Sequence, residues 1–82
     1  MNLSASSSWQ ENNDELQKEF VFEDFVQAID FVNRVKDIAE LQQHHPRIII
    51  DYNKVRIETC THDAGNVVTD KDYKLAQSID SL

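Results

Sequence analysis

The polar and apolar positions of this chain change period three times. From Leu16 to Phe22 they alternate, with Phe20 and Phe22 on one face, as in a half-buried strand. A shorter extended piece starting at Trp9 precedes it, joined by a turn at Asn12-Asn13-Asp14. From Phe25 the spacing changes to three and four. Phe25, Ile29, Val32, Val35 and Ala39 make a stripe that Phe31, Ile38 and Leu41 widen, and this predicts a core-facing helix of about five turns. Asp24 suits its N-cap, with Gln27 three residues on completing a box-like start. Pro46 disfavours a helical His45, so the helix must end near His44.

Alternation then resumes. Ile48, Ile50 and Tyr52 predict a third strand, Tyr52-Asn53 a tight turn with asparagine tolerating the left-handed region, and Val55, Ile57 and Thr59 a fourth strand that leads to His62. Asp63 to Val68 is a loop holding the only glycine, Gly65. Thr69 with Asp72 matches a capping box opening a last helix, whose expected buried side is Tyr73, Ala76, Ile79 and Leu82. The order strand, strand, helix, strand, strand, helix predicts an α+β fold, a four-stranded antiparallel sheet with helices packed on one face. Residues 1–8, MNLSASSS, read as a disordered tip, and 9–82 as a single domain. Trp9 reads as a packing residue.

Composition narrows the function. The chain has 82 residues, a net charge of −7 and one cysteine, Cys60. A chain this small buries only roughly 60% of its unfolded surface and has no disulfide to compensate, so a homodimer or homotetramer is expected, with the exposed sheet edges as its surfaces. The acidic balance argues against a binder of nucleic-acid backbones. No apolar run approaches the roughly 20 residues that span a bilayer, and the first residues do not resemble a signal peptide. A cytoplasmic location is the expectation, and a lone thiol suits a reducing compartment.

All three histidines, His44, His45 and His62, fall between residues 43 and 72. Histidine, with an unperturbed pKa of about 6.5, can give and take a proton near neutrality. His44 and His45 stand where the helix ends, where its dipole favours a cation, and Glu40 lies one turn before His44, placed to pair with it. His62 could face them across a cleft. Three readings stay open: histidines that only complement the helix dipole, an acid–base pair, and a metal site. Against metal, adjacent histidines point apart and neither HExxH nor paired-cysteine spacing is present. Nucleophilic chemistry at Cys60 lacks anything nearby to lower its pKa. Asp72 has two compatible roles, capping the last helix and orienting a histidine.

These residues resemble one family, the pterin-4a-carbinolamine dehydratases. The resemblance rests on His44-His45-Pro46, on Tyr52-Asn53-Lys54-Val55 six residues beyond, and on Thr61-His62. Gly65, the Thr69/Asp72 helix start, the Phe20-Val21-Phe22-Glu23-Asp24-Phe25 entry and the helix positions Ala28, Phe31 and Val35 complete it. It runs from Trp9 to the C-terminus. Two departures stand out: the helix that often precedes the tryptophan is missing or reduced to MNLSASSS, and Asn66-Val67-Val68 replaces the more usual Gly-Leu pair. The resemblance implies dehydration of 4a-hydroxytetrahydrobiopterin to quinonoid dihydropterin in tetrahydrobiopterin recycling, with no cofactor and no metal. It implies His44 and His62 as the acid–base pair and His45 as an assisting residue. Glu40 would contact the pterin or tune His44, Pro46, Thr61 and Asp63 would line the pocket, and Asp72 would support the site. The alternative it leaves is a non-enzymatic interaction protein of the same fold, since some relatives serve as dimerisation partners of transcription factors.

Overall fold

In the computed structural model, which describes residues 8–82, the elements follow the predicted order. Strands β1 (Gln10–Asn12) and β2 (Glu15–Val21) precede helix α1 (Phe25–Gln42), strands β3 (Arg47–Asp51) and β4 (Lys54–Thr59) follow, and helix α2 (Asp70–Asp80) comes last. The sheet order is β1-β2-β4-β3, antiparallel throughout. The tip read as disordered lies, except for Ser8, outside the described residues. None of the helices is long and apolar enough to cross a membrane.

Both helices pack on one face of the sheet. Phe20 and Phe22 of the β2 segment and Val55 and Ile57 of β4 meet Ala28, Phe31 and Val35 of α1 and Leu75 and Ile79 of α2. Phe31 sits 4.7 Å from the Phe20 ring and 5.0 Å from that of Phe22, centroid to centroid. Trp9 stands edge-on to Phe20 at 6.0 Å, and its indole N–H donates to Asp80 at 3.0 Å. Asp80 also takes the buried Lys18 ammonium at 2.9 Å, which joins β2 to the end of α2. Among the described residues the opposite sheet face carries no helix and is mostly polar: Arg56 bridges Glu58 at 2.7 Å and Gln17 at 2.5 Å.

The caps and turns use the expected residues in partly different ways. Asp24 accepts from the Gln27 N–H at 2.9 Å, but the Gln27 amide closes back on the Glu23 N–H rather than on Asp24 itself. Asn13 and Asp14 take φ of 53° and 62°, the left-handed pair a two-residue hairpin needs. In the β3–β4 turn it is Tyr52, not Asn53, that takes the positive φ, 53°. Asn53 instead clamps the end of β2, its amide donating to the Phe22 carbonyl at 2.9 Å while the Phe22 N–H donates to the Asn53 carbonyl at 2.8 Å.

Two stripes are rotated from the predicted ones. The buried line of α1 runs through Ala28, Phe31, Val35 and Ala39, leaving Phe25 and Leu41 exposed. On α2 the buried residues are Asp72, Leu75, Ala76 and Ile79, whereas Tyr73 and Leu82 are exposed. The cause is Asp72: with that carboxylate turned inward, the next residue lies about 100° round the helix. Tyr73 consequently reaches outward, its hydroxyl donating to Glu11 at 2.9 Å.

Leu75 is fully buried between the helices and the sheet. Leu75→Ala is expected to cost about 2–5 kcal/mol, read as a lower urea midpoint at an unchanged denaturant slope.

Candidate functional site

The site is built around the one fully buried carboxylate. Asp72 occupies the first turn of α2, whose N-cap Thr69 forms a capping box with it. Its four donors come from four parts of the chain. Oδ1 accepts from His44 Nε2 at 2.6 Å and from the Thr59 hydroxyl at 2.7 Å, and Oδ2 accepts from the Thr61 hydroxyl at 2.8 Å and the Thr69 N–H at 2.9 Å. Thr61 spends its single hydroxyl proton on Asp72, so in the 2.6 Å contact between Thr61 and Thr69 it is Thr69 that donates. Burial pushes the Asp72 pKa up, but the hydrogen bonds from His44, Thr59, Thr69 and Thr61 outweigh it and hold the carboxyl below its ordinary value.

An ionised Asp72 fixes the neighbouring imidazole. A carboxylate only accepts, so His44 Nε2 carries the proton, and Nδ1 has no protein partner among the described residues. That half-buried ring is held by its back nitrogen and keeps its other nitrogen for proton exchange, the arrangement in which a carboxylate orients a catalytic histidine and stabilises its cation.

The helix end explains which histidine goes where. Gln43 turns left-handed with φ 51°, and the Gln43 and His44 N–H groups donate back to Glu40 and Ala39 at 3.2 and 3.1 Å. This Schellman-type stop ends the register in which residues four apart are neighbours. The expected pairing of Glu40 with His44 is therefore exchanged: His44 swings to Asp72, and Glu40 meets the exposed His45 ring at 2.5 Å.

His62 does not end a strand as predicted. β4 stops at Thr59, Thr61 bridges Val67, and His62 opens a 3₁₀ turn, His62–Ala64, closed by Gly65 at φ 91°. The His62 ring is exposed, and its Nδ1 donates to the Asn66 side-chain oxygen at 2.6 Å, leaving Nε2 without a protein partner among the described residues. Asn66 itself is left-handed, with φ 62°.

These segments enclose a cleft of about 190 Å³ lined by Gln43, His44, His45, Cys60, Thr61, His62, Asp63 and Lys71. The three histidines, Thr61 and Asp63 thus meet in one cavity, with Asp72 behind it. Glu40 and Pro46 are not among the lining residues; Glu40 reaches the site only through His45. Gln43, Cys60 and Lys71 are lining residues that the sequence reading did not assign to the pocket. The signals were their places beside known members: Lys71 precedes Asp72, Gln43 precedes His44, and Cys60 stands two before His62. The Cys60 thiol is half-buried, and burial, followed by the charges of Glu15, Asp72 and Asp14, pushes its pKa up, away from a thiolate. Among the described residues no group of three or more His, Cys, Asp or Glu side chains is placed to hold a metal ion.

Two expectations follow. Asp72 has a folded pKa below its unfolded value of about 3.9, so its contribution to stability is present above that value and is lost as pH falls through the folded one. Asp72→Asn is expected to lower stability at pH 7 by about 3 kcal/mol and to flatten the acid limb, in urea titrations run from pH 7 to pH 2. Separately, ¹⁵N spectra of the neutral protein should show His62 as the Nδ1–H tautomer, and Asn66→Gly should shift it towards Nε2–H.

Comparison with known proteins places this geometry in context. The profile of the family described as Pterin 4 alpha carbinolamine dehydratase matches residues 1–82. A protein of Picosynechococcus sp., provisionally named a pterin-4-alpha-carbinolamine dehydratase, is 45% identical over 80 residues, covering 98% of this chain and 86% of the relative. One from Cyanothece sp., with the same provisional name, is 50% identical over 74 residues, covering 90% of this chain and 75% of the relative. Among solved structures, a transcriptional coactivator/pterin dehydratase from Brucella melitensis superposes with a TM-score of 0.85 at 30% identity, over 95% of this chain and 87% of that one. A pterin dehydratase-like protein described as a RuBisCO assembly factor in the alpha-carboxysome superposes with a TM-score of 0.78 over 94% and 90%, and at 22% identity it speaks to the fold alone.

Proposed function

The chain belongs to the pterin-4a-carbinolamine dehydratase family, and from that premise we propose that it dehydrates a 4a-hydroxytetrahydropterin to the quinonoid dihydropterin by histidine acid–base catalysis. The observation that carries the reading is the shared cleft: His44, backed by a buried carboxylate, and His62, on a separate loop, each with one ring nitrogen that no protein group uses among the described residues.

The chemistry is a loss of water. One imidazolium protonates the 4a-hydroxyl, the C4a–O bond breaks, and water leaves. The N5 lone pair forms the C4a=N5 double bond, and a neutral imidazole removes the ring N–H proton. One proton is given and one taken, so the pair returns to its starting protonation by exchange with solvent. Asp72 supports whichever state His44 passes through, because its carboxylate lies 2.6 Å from the ring. His45, steadied by Glu40, assists at the cleft wall, and Thr61 and Asp63 supply polar lining. Biopterin recycling is the setting this reading implies. A second reading, a protein whose role is to bind another protein, draws on the coactivator description of the 30%-identical structural neighbour.

The test is the rate of 4a-carbinolamine dehydration, followed by ultraviolet absorbance. Wild type should accelerate it well above buffer. His62→Ala and His44→Ala should each lose about 10²- to 10⁴-fold, with the circular dichroism of His62→Ala unchanged. A folded wild type with no acceleration over buffer would favour the protein-binding reading. Full activity in His62→Ala would refute the acid–base assignment.

A further inference from the structure

We propose that a second hollow beside the histidine cleft holds the substituent at C6 of the substrate ring and selects a neutral, hydroxylated arm over an anionic one. The inference rests on the dehydratase reading of the cleft and concerns the part of the substrate that does not react.

The hollow measures about 380 Å³ and is lined by Thr61, Asp63, Ala64, Thr69, Asp70 and Lys71. Thr61, Asp63 and Lys71 also line the cleft, so the two spaces adjoin along those side chains. The cleft alone, at about 190 Å³, is smaller than the roughly 300–1,000 Å³ usual for a small-molecule site. With the second hollow the whole falls within that range.

The geometry of the substrate sends its arm that way. In a 4a-hydroxytetrahydropterin C4a carries the hydroxyl, N5 is bonded to C4a, and C6 is bonded to N5. The substituent therefore leaves the ring two bonds from the reacting carbon, on the edge that the histidines must face. His62 lines the cleft, and Asp63 and Ala64, the next residues of the same 3₁₀ turn, line the hollow. An arm that passes His62 enters the hollow over Asp63.

The lining decides which arm fits. Its walls are mainly carbon, which suits an aliphatic chain. Both threonine hydroxyls are engaged: that of Thr61 donates to Asp72 at 2.8 Å and lies 2.6 Å from that of Thr69. The same contacts tie this wall to the buried carboxylate. The polar groups left over are the Asp63 and Asp70 carboxylates and the Lys71 ammonium, whose side chains have no partner among the described residues. A carboxylate only accepts, so hydroxyls on the arm donate to it. Two acids against one base leave the rim negative, which repels a carboxylate or phosphate on the arm.

The test compares two 4a-carbinolamines, that of tetrahydrobiopterin, whose arm is a dihydroxypropyl chain, and that of 6-methyltetrahydropterin, which lacks the chain. The readout is the ratio of their kcat/KM values, armed over unarmed. Ala64 is exposed and outside the core, and Ala64→Leu, which fills the hollow, should lower the ratio about tenfold. Asp70→Asn, which keeps the shape and removes the charge, should lower it about three- to tenfold. Binding gives a readout that needs no turnover. In fluorescence titrations wild type should bind 7,8-dihydroneopterin several-fold more tightly than its monophosphate, and Asp70→Lys should narrow that gap. A ratio that neither Ala64→Leu nor Asp70→Asn moves, or equal affinity for the two dihydroneopterins, would overturn the proposal. Failure of the dehydratase reading looks different: neither carbinolamine reacts faster than in buffer, and the subsite then stands or falls on the binding preference.

Discussion

A carboxylate with no exposure to water and four donors around it is an unusual demand on an 82-residue chain. An ionised group without such compensation would be costly to bury, so the surrounding chain must deliver a donor to each lone-pair direction. Asp72 receives them from the end of α1, from β4, from the segment leading to His62, and from the N-cap of its own helix. The relative position of α1, α2 and β4 at this end of the molecule is therefore tied to one side chain. The same contacts orient His44, so folding and the proton-exchange geometry share one origin. The apolar core supplies most of the driving force, but apolar contact is non-directional, and it does not by itself choose a ring orientation.

Much of this is legible in the chain. Alternation and helical spacing give the strand and helix order, Pro46 places the end of α1 to within a few residues, and the Thr69/Asp72 spacing gives the start of α2. What escapes is wherever a local rule meets a tertiary demand. Glu40 and His44 satisfy the four-residue spacing, yet Gln43 leaves the helical conformation before that spacing can act. Tyr73 has the right hydrophobicity for a core position and the wrong phase, because its neighbour Asp72 takes the inward direction. Asn53 is the better residue for a positive φ by propensity, and it is instead engaged in closing β2, which leaves Tyr52 to take the turn. In each case a polar group with a specific long-range partner overrides a preference worth a few tenths to about one kcal/mol.

The Asn66-Val67-Val68 stretch carries a further point. Seen in sequence it is only a departure from a glycine-leucine pair. In the fold Asn66 holds a left-handed conformation that asparagine tolerates better than most residues, and its side chain takes the Nδ1 hydrogen of His62. Val67 meanwhile accepts the Thr61 N–H at 2.8 Å through its carbonyl. Asn66 thus both makes the turn and orients His62, a contact that a glycine there would have no atoms to provide.

The two sides of the cleft differ in how deeply they are entangled with the rest of the molecule. His44 is bound into the buried network, whereas His62 stands on an exposed turn, its ring hydrogen-bonded among the described residues to Asn66 alone. Losing the first disturbs a helix junction, and losing the second leaves every long-range contact in place. The cleft is therefore separable from the architecture in one direction only. A change at His62 alters one wall and leaves the carboxylate with all four of its donors, whereas a change at His44 removes one of those donors and alters the cleft at once.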